Sequence, residues 1–195
     1  MMIKRTVEEK QNLTEDDVRT RLKGLSPALQ QEYLENLLKR MALQPSIKIY
    51  ASRMLAEVYA RKGLWGSAAK VFESAADVAQ TFNDKKNLYV DVGILNIKAQ
   101  DYLSADDAFR KAIEAASPGE KAKLQAETRN LFITEAENLE KQDKIAKAAK
   151  LYERMLRSSF AKDEKKKIMA RLMILYERLA RITDSIAMRE ALKNL

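Results

Sequence analysis

Apolar residues recur along this chain at intervals of three and four, the period of one helix face. No stretch alternates apolar with polar residues as a half-buried strand does. Stop and start signals divide the pattern. Thr14 precedes Glu15-Asp16-Asp17, a hydroxyl and acids that suit a helix N-terminus, and Gly24 suits the end of the same helix. Ser26-Pro27 reads as an N-cap followed by proline at the first helical position, and the next helix is expected to run to about Ala42 and to stop before Pro45. Further breaks fall at Gly63 and Gly66, at Asn83-Asp84, at Gln100-Asp101, at Ser117-Pro118-Gly119, at Gln142-Asp143 and around Asp163. The pattern predicts ten helices, at about 15–23, 27–42, 47–62, 65–80, 85–99, 103–116, 120–141, 145–158, 164–181 and 184–193. Their connections are short, so successive helices should lie antiparallel.

The pattern also repeats. Gly63 to Ala75, Gln100 to Ala112 and Asp143 to Met155 each carry a small residue, an aromatic four on, and a small or slim residue three further. The triples are Ala68/Phe72/Ala75, Ala105/Phe109/Ala112 and Ala148/Tyr152/Met155. Small residues let two helices approach, and the aromatic fills the gap between them. The preceding helices agree in part: Leu55, Ala56 and Tyr59; Tyr89, Val92 and Gly93; Phe132, Ala136 and Leu139.

Over about residues 49–162 the chain resembles the tetratricopeptide repeat, a helix A–turn–helix B unit of about 34 residues. The departures are specific. Asn96 stands where the second A helix should have an aromatic, and Glu135 where the third should be apolar. Ala68 to Ala105 is 37 residues and Ala105 to Ala148 is 43, so the helix at 120–141 should be extended by about two turns. The resemblance implies an all-α fold, a right-handed α-α superhelix of antiparallel helix pairs. Residues 1–46 would form a cap or degenerate repeat, 47–162 three units, and 163–195 a fourth unit or capping helices, with Met169, Ala170 and Met173 in its A helix.

In this family the A helices line a concave groove that holds a peptide segment or helix. The resemblance places there Tyr50, Arg53 and Glu57 of the first unit, Val90, Ile94, Ile97 and Lys98 of the second, and Asn130, Ile133, Glu137, Glu140 and Lys141 of the third. The segment from Leu88 to Ile97 is apolar nearly all round, and such a helix needs cover on every side. Packing within the repeat hides Tyr89, Val92 and Leu95. Val90, Ile94 and Ile97 call for something over them: a partner helix, a second copy of the chain in a homodimer, or this chain's own terminal helices. Family members that hold a partner's C-terminal carboxylate use Lys and Asn in the groove. Here Arg53 could replace the first Lys, but Glu57 and Asp91 stand in the Asn places and Thr134 in a basic one, and two acids repel a carboxylate. That subclass is not expected.

Charge changes the picture at one end. The net charge is +8. Residues 129–195 carry 16 Lys and Arg against 10 Asp and Glu, while residues 1–128 carry 20 against 18, so most of the excess lies in the last third. Lys144, Lys147, Lys150, Arg154 and Arg157 recur at three- and four-residue spacing, and Lys165, Lys166, Lys167 and Arg171 follow on the next helix. Two such ridges could meet an acidic protein, or RNA or a ribonucleoprotein such as the ribosome, through shape and charge. No aromatic is interleaved as a base-stacking platform needs, and Glu153, Asp163, Glu164 and Glu177 fit a plain solvated face.

Composition removes chemistry rather than adding it. There is no Cys and no His, which excludes disulfides, thiolate nucleophiles, Cys/His zinc sites and the commonest general base. No glycine-rich phosphate loop or nucleophile elbow is present; Gly63-Leu64-Trp65-Gly66 reads as a repeat turn, with Trp65 packed between helices. The carboxylate pairs Asp106-Asp107 and Glu135/Glu137 read as helix-surface charges. No apolar run approaches the ~18 residues of a membrane span, and Met1 to Glu9 turns acidic before a signal-like region forms. The expectation is a cytoplasmic interaction scaffold without cofactor or membrane contact, not an enzyme.

Overall fold

The computed structural model describes residues 13–40, 43–157 and 162–195. Among them ten α-helices and no strand are present: α1 (Glu15–Leu22), α2 (Pro27–Leu38), α3 (Pro45–Arg61), α4 (Trp65–Val78), α5 (Phe82–Lys98), α6 (Tyr102–Ala115), α7 (Pro118–Lys141), α8 (Ile145–Met155), α9 (Lys162–Arg178) and α10 (Ile182–Lys193). The chain falls into two compact units, Met1–Ala116 and Ser117–Leu195. The small/aromatic pattern runs straight through that boundary, so periodicity does not mark it. The long α7 that opens the second unit does.

Local chemistry sets the starts. The Thr14 hydroxyl accepts from the Asp17 backbone N–H while Asp17 takes the Thr14 N–H, and Ser117 donates its N–H to Glu120 in the same reciprocal way. Ser26 precedes Pro27, and both Pro45 and Pro118 occupy the opening of their helices, where a missing N–H costs nothing. Four boundaries differ from the sequence expectation by three residues or more, among them the end of α9, expected at about 181 and found at Arg178 because Ala180 takes the left-handed conformation. α5 begins at Phe82 because the Thr81 hydroxyl caps the Asp84 N–H, which takes Asn83-Asp84 inside the first turn instead of a break. α2 ends at Leu38 because its buried residues end at Leu37 and the last turn tightens, with Arg40 N–H bonding the Leu37 carbonyl; residues 41 and 42 lie outside the described ones. α8 ends at Met155, and the expected end at 158 also lies outside them.

Four hairpins share one turn. After α3, α5, α7 and α9 a single residue adopts a left-handed conformation: Gly63 (φ 72°), Gln100 (φ 60°), Asp143 (φ 59°) and Ala180 (φ 56°). The following N–H then reaches back five residues, Leu64 to Tyr59, Asp101 to Asn96, Lys144 to Leu139 and Arg181 to Tyr176. This is a Schellman cap used four times to reverse the chain. Turn-to-turn spacings are 37, 43 and 37 residues. α7 has 24 residues where α3, α5 and α9 have 17, so the longer period is a helix about two turns longer.

The small/aromatic triples point inward. Ala68, Ala75, Ala105, Ala112 and Ala148 are fully buried, Phe109, Tyr152 and Met155 nearly so, and Phe72 is half-buried. Gly93 of α5 allows the closest approach: an added Cβ would lie 2.3 Å from the Phe109 ring. In the first unit α1 and α2 pack on α3 around Val18, Leu34, Leu37, Ile47, Leu55 and Val58. A second cluster joins Ala56, Ala68, Ala69, Val92, Leu95 and Ala108, with Trp65 and Phe72 against it. In the second unit α8 packs between α7 and α9, and α10 closes on α9. Tyrosines tie neighbouring helices in both units. The Tyr59 hydroxyl donates to Glu35 (2.7 Å), Tyr89 to Asp77 (3.2 Å), Tyr152 to Glu140 (2.9 Å) and Tyr176 to Glu153 (2.9 Å).

Candidate partner-binding groove

In the second unit α7 and α9 leave between them an open groove of about 670 Å³. α7 supplies Asn130, Ile133 and Glu137; α9 supplies Glu164, Lys167, Ile168, Ala170, Arg171 and Ile174; α8 adds Tyr152. The wall residues recur at three- and four-residue spacing, which puts each set on one helix face. Ile168 is buried, but Ile174 is 47% exposed, a large apolar side chain at the groove mouth. A smaller hollow of about 370 Å³ continues past Glu140, Lys141 and Arg178.

Ion pairs cross the groove at both ends. Arg129 stands 3.9 Å from Glu164 at one end. At the other, Arg171 stands 3.9 Å from Glu140 and Arg178 2.7 Å from Asp143. Glu140 also accepts from Tyr152, whose phenol is held well above its usual range by burial first and by this carboxylate second. These pairs leave the middle polar groups open. Lys167 has no carboxylate within ion-pair distance among the described residues, and Asn130 is exposed beside Ile133. The groove therefore offers a short apolar strip, Ile133 opposite Ile168, Ala170 and Ile174, about 10 Å along α9, with Lys167 and Asn130 on its rim.

All five positions that the resemblance gives for the third unit line this site. Sequence reasoning missed the opposite wall. It put Lys167 and Arg171 in a basic patch, read Ala170 only as a residue of a fourth A helix, and left Ile168 and Ile174 without a role. The signal was available: moving the third-unit positions on by one 37-residue turn spacing gives Lys167, Ala170, Ile174, Glu177 and Arg178. Four of these line the two hollows, and Glu177 is taken by Ser185 and Arg189.

In the first unit the expected groove positions differ in their cover. Ile97 is 6% exposed, so the expectation that it awaits a partner is corrected: α5 lies between α4 and α6, and the helix is buried there. Val90 and Ile94 are half-buried. Tyr50 packs on the N-terminal core cluster, and Arg19 of α1 donates to its hydroxyl (3.4 Å), so the chain's own first helix covers that place. The Lys98 ammonium sits 4.9 Å from the centre of the Trp65 ring. Arg53 and Glu57 are exposed. Burial pushes the Asp91 carboxyl up, and Arg53 draws it part of the way back.

The basic residues do not form one patch. On α8, Lys147, Lys150 and Arg154 lie at about 160–220° around the helix from Tyr152, on the side away from the groove, and Arg157 follows in the turn past the helix end. Lys144, the N-cap, stands off that line with its ammonium on Gln142 (2.7 Å). Lys167 and Arg171 face into the groove instead. Lys166 is exposed and Lys165 half-buried. The expectation of two adjacent ridges forming a single surface is corrected on that geometry. Asp107 is engaged by Arg110 and Lys111, so the Asp106-Asp107 pair includes a carboxylate held below its usual range by those cations. Among the described residues no group of three or more acids could hold a metal ion, and no helix is long and apolar enough to cross a membrane.

No protein-family model and no curated protein matches the chain. Among solved structures it is similar to BtubC (BKLC) from P. vanneervenii, with 14% identity and a TM-score of 0.38 over 92% of this chain and 73% of that one.

Proposed function

We propose that this protein is a tetratricopeptide-like scaffold without catalytic activity that holds a segment of a partner protein in the α7/α9 groove. One observation carries the reading: a 670 Å³ groove whose apolar strip ends in the half-exposed Ile174. Leaving such a side chain in water forgoes about 1–2 kcal/mol of burial that a partner would recover. Supporting it, three copies of the small/aromatic triple and four copies of one turn build both units from the same helix pair, as the resemblance implies. The two adjoining hollows are also lined by all five of the third-unit positions that the resemblance gives. The partner is an apolar segment with polar edges, from another protein or from a second copy of the chain.

The test is capture from nuclease-treated lysate with the parent and with Ile174→Asp, Ile133→Asp and Ile94→Asp, alongside sedimentation of each. Loss of the same captured proteins with the first two and retention with the third supports the α7/α9 groove. If Ile174→Asp and Ile133→Asp keep every partner and the parent's oligomeric state, the groove reading fails.

A further inference from the structure

The charged groups along the α7/α9 groove fall into two sets. Arg129 with Glu164, Arg171 with Glu140 and Arg178 with Asp143 form ion pairs between the helix ends. The side chains of Lys141, Lys167 and Glu137 form no ion pair or hydrogen bond among the described residues. Each lysine has a carboxylate one turn before it, Glu137 before Lys141 and Asp163 before Lys167, and neither pair closes to ion-pair distance. Both lysines are exposed, and Glu137 is half-buried.

The ion pairs fix where these three groups stand. They join positions 35, 31 and 35 residues apart, so α7 and α9 run parallel and Lys167 lies near the level of Ile133. Lys141 follows Ile133 by eight residues, about 12 Å along α7, and Glu137 lies midway. Between the two ammonium groups runs the apolar strip, Ile133 opposite Ile168, Ala170 and Ile174. Glu137 and Arg171 line both hollows, so the row continues from one into the other. Its order is a cation, an apolar wall with one carboxylate at its middle, and a second cation.

A segment lying in this row meets three demands. Its middle must be apolar to cover the strip. An acid at either end meets an ammonium group, and an acid in the middle meets the Glu137 carboxylate and is repelled. The 12 Å between the cations is about the distance from residue i to i+4 of an extended chain, and those two side chains point the same way. Resting on the groove reading above, we infer that the partner segment is acidic: an extended stretch with a carboxylate side chain at each end of an apolar middle, four residues apart, and none between. Lys141 and Lys167 select and Glu137 rejects, so the groove distinguishes partners by where their acids stand.

The test uses the full chain and fluorescein-labelled peptides with the core Glu-Leu-Ile-Leu-Glu between Gly-Ser flanks, read by anisotropy at about 50 mM salt, where exposed charges are weakly screened. Replacing both glutamates by glutamine should weaken binding about tenfold, as expected for two exposed ion pairs, and replacing them by lysine should weaken it further. Lys141→Gln/Lys167→Gln should bind the Glu and Gln cores alike. Lys121→Gln/Lys123→Gln, which removes the same charge from the start of α7, should keep the preference. With Gln or Glu in place of the central isoleucine, the parent should prefer Gln, and Glu137→Gln should remove that preference. The failures separate. If no core binds at roughly 1 mM peptide, or if Ile174→Ser leaves binding unchanged although it takes away apolar wall without adding charge, the groove reading falls and this inference with it. If Ile174→Ser weakens every core but the parent binds the Glu and Gln cores equally, or the two double variants lose the preference alike, the groove stands and its acidic specificity is refuted.

Discussion

Gly93 offers the sharpest test of how the helices are packed. It lies inside α5, where Ala is better than Gly by about 1 kcal/mol on propensity alone. Against that, the alanine Cβ would stand 2.3 Å from Cε1 of Phe109 and 2.6 Å from Cδ1 and Cζ. Carbon atoms in contact sit about 3.5–4.0 Å apart, so the ring must retreat by more than about 1 Å. Phe109 is 3% exposed, so its ring is enclosed by protein on nearly every side. Overpacking of this kind costs about 1–3 kcal/mol, and here the overlap involves three ring atoms, which points to the upper end. The net expectation for Gly93→Ala is a loss of about 1–2 kcal/mol. Gly66→Ala is the control. Its Cβ meets nothing within 4 Å, so the same chemical change should be neutral or stabilising by up to about 1 kcal/mol.

The probe is built in. Trp65 is the chain's single tryptophan and packs against the cluster that contains Val92, Leu95 and Ala108, so its fluorescence in urea follows the first unit by itself. That matters because two units need not unfold together. Phe109→Leu in the Gly93→Ala background should recover part of the loss, with a coupling of about 1–2 kcal/mol. If Gly93→Ala unfolds at the parent's urea midpoint or above it, the close approach of α5 to α6 is wrong. If Phe109→Leu gives simple additivity, the ring is not what the methyl meets.

The shared turn predicts opposite signs for opposite substitutions. Ala180→Gly should stabilise by about 0.5–1 kcal/mol, because an L side chain at φ 56° is strained, and Gly63→Ala should destabilise by about 1 kcal/mol; urea midpoints decide both. Alkali should weaken both units. Burial, then a hydrogen bond to a carboxylate, pushes Tyr59 and Tyr176 up to about 12 from the ordinary 10. The unfolded chain therefore loses those protons first, and stability should fall as pH rises from 10 to 12; Tyr59→Phe with Tyr176→Phe should flatten that fall. Acid acts on Glu35, which is held below its usual range by the Tyr59 hydroxyl and then by Gln31. Its contribution is present above the unfolded pKa near 4.5 and lost as pH drops through the lower folded value, so Tyr59→Phe should make the first unit less sensitive between pH 5 and 3, read from Trp65 fluorescence.

The helices were legible because their punctuation is local. Thr14, Ser26, Pro27, Pro45, Ser117 and Pro118 act on the backbone within three residues of themselves, and each sits at a helix start in the structure. Thr81 was overlooked because Asn83-Asp84 reads more strongly as a break, yet a hydroxyl two residues earlier caps the same turn. The left-handed turns were half legible. Gly63 announces one and Asp143 tolerates the conformation, but Gln100 and Ala180 adopt it with side chains that ordinarily avoid it. There the five-residue back-bond and the packing of the two flanking helices impose the geometry, and no single residue signals it.

The groove shows where a repeat period carries more information than composition. Val90, Ile94 and Ile97 looked exposed because a helix apolar all round has no visible inner face, and only the placement of α4 and α6 on either side of α5 decides what is covered. Lys167 and Arg171 looked like part of a charge run because their neighbours are lysines. Their place in the groove follows from phase, not from charge: a residue one turn spacing after a groove residue points the same way. Asn130 to Lys167 and Glu137 to Ile174 obey that rule at 37 residues even though the third unit itself is stretched by a longer helix. The extra turns of α7 lie before Asn130, at its N-terminal end, so they lengthen the period without disturbing the register measured back from the turn. Counting from the left-handed residue, rather than from the preceding repeat, is what makes the two walls of the groove agree.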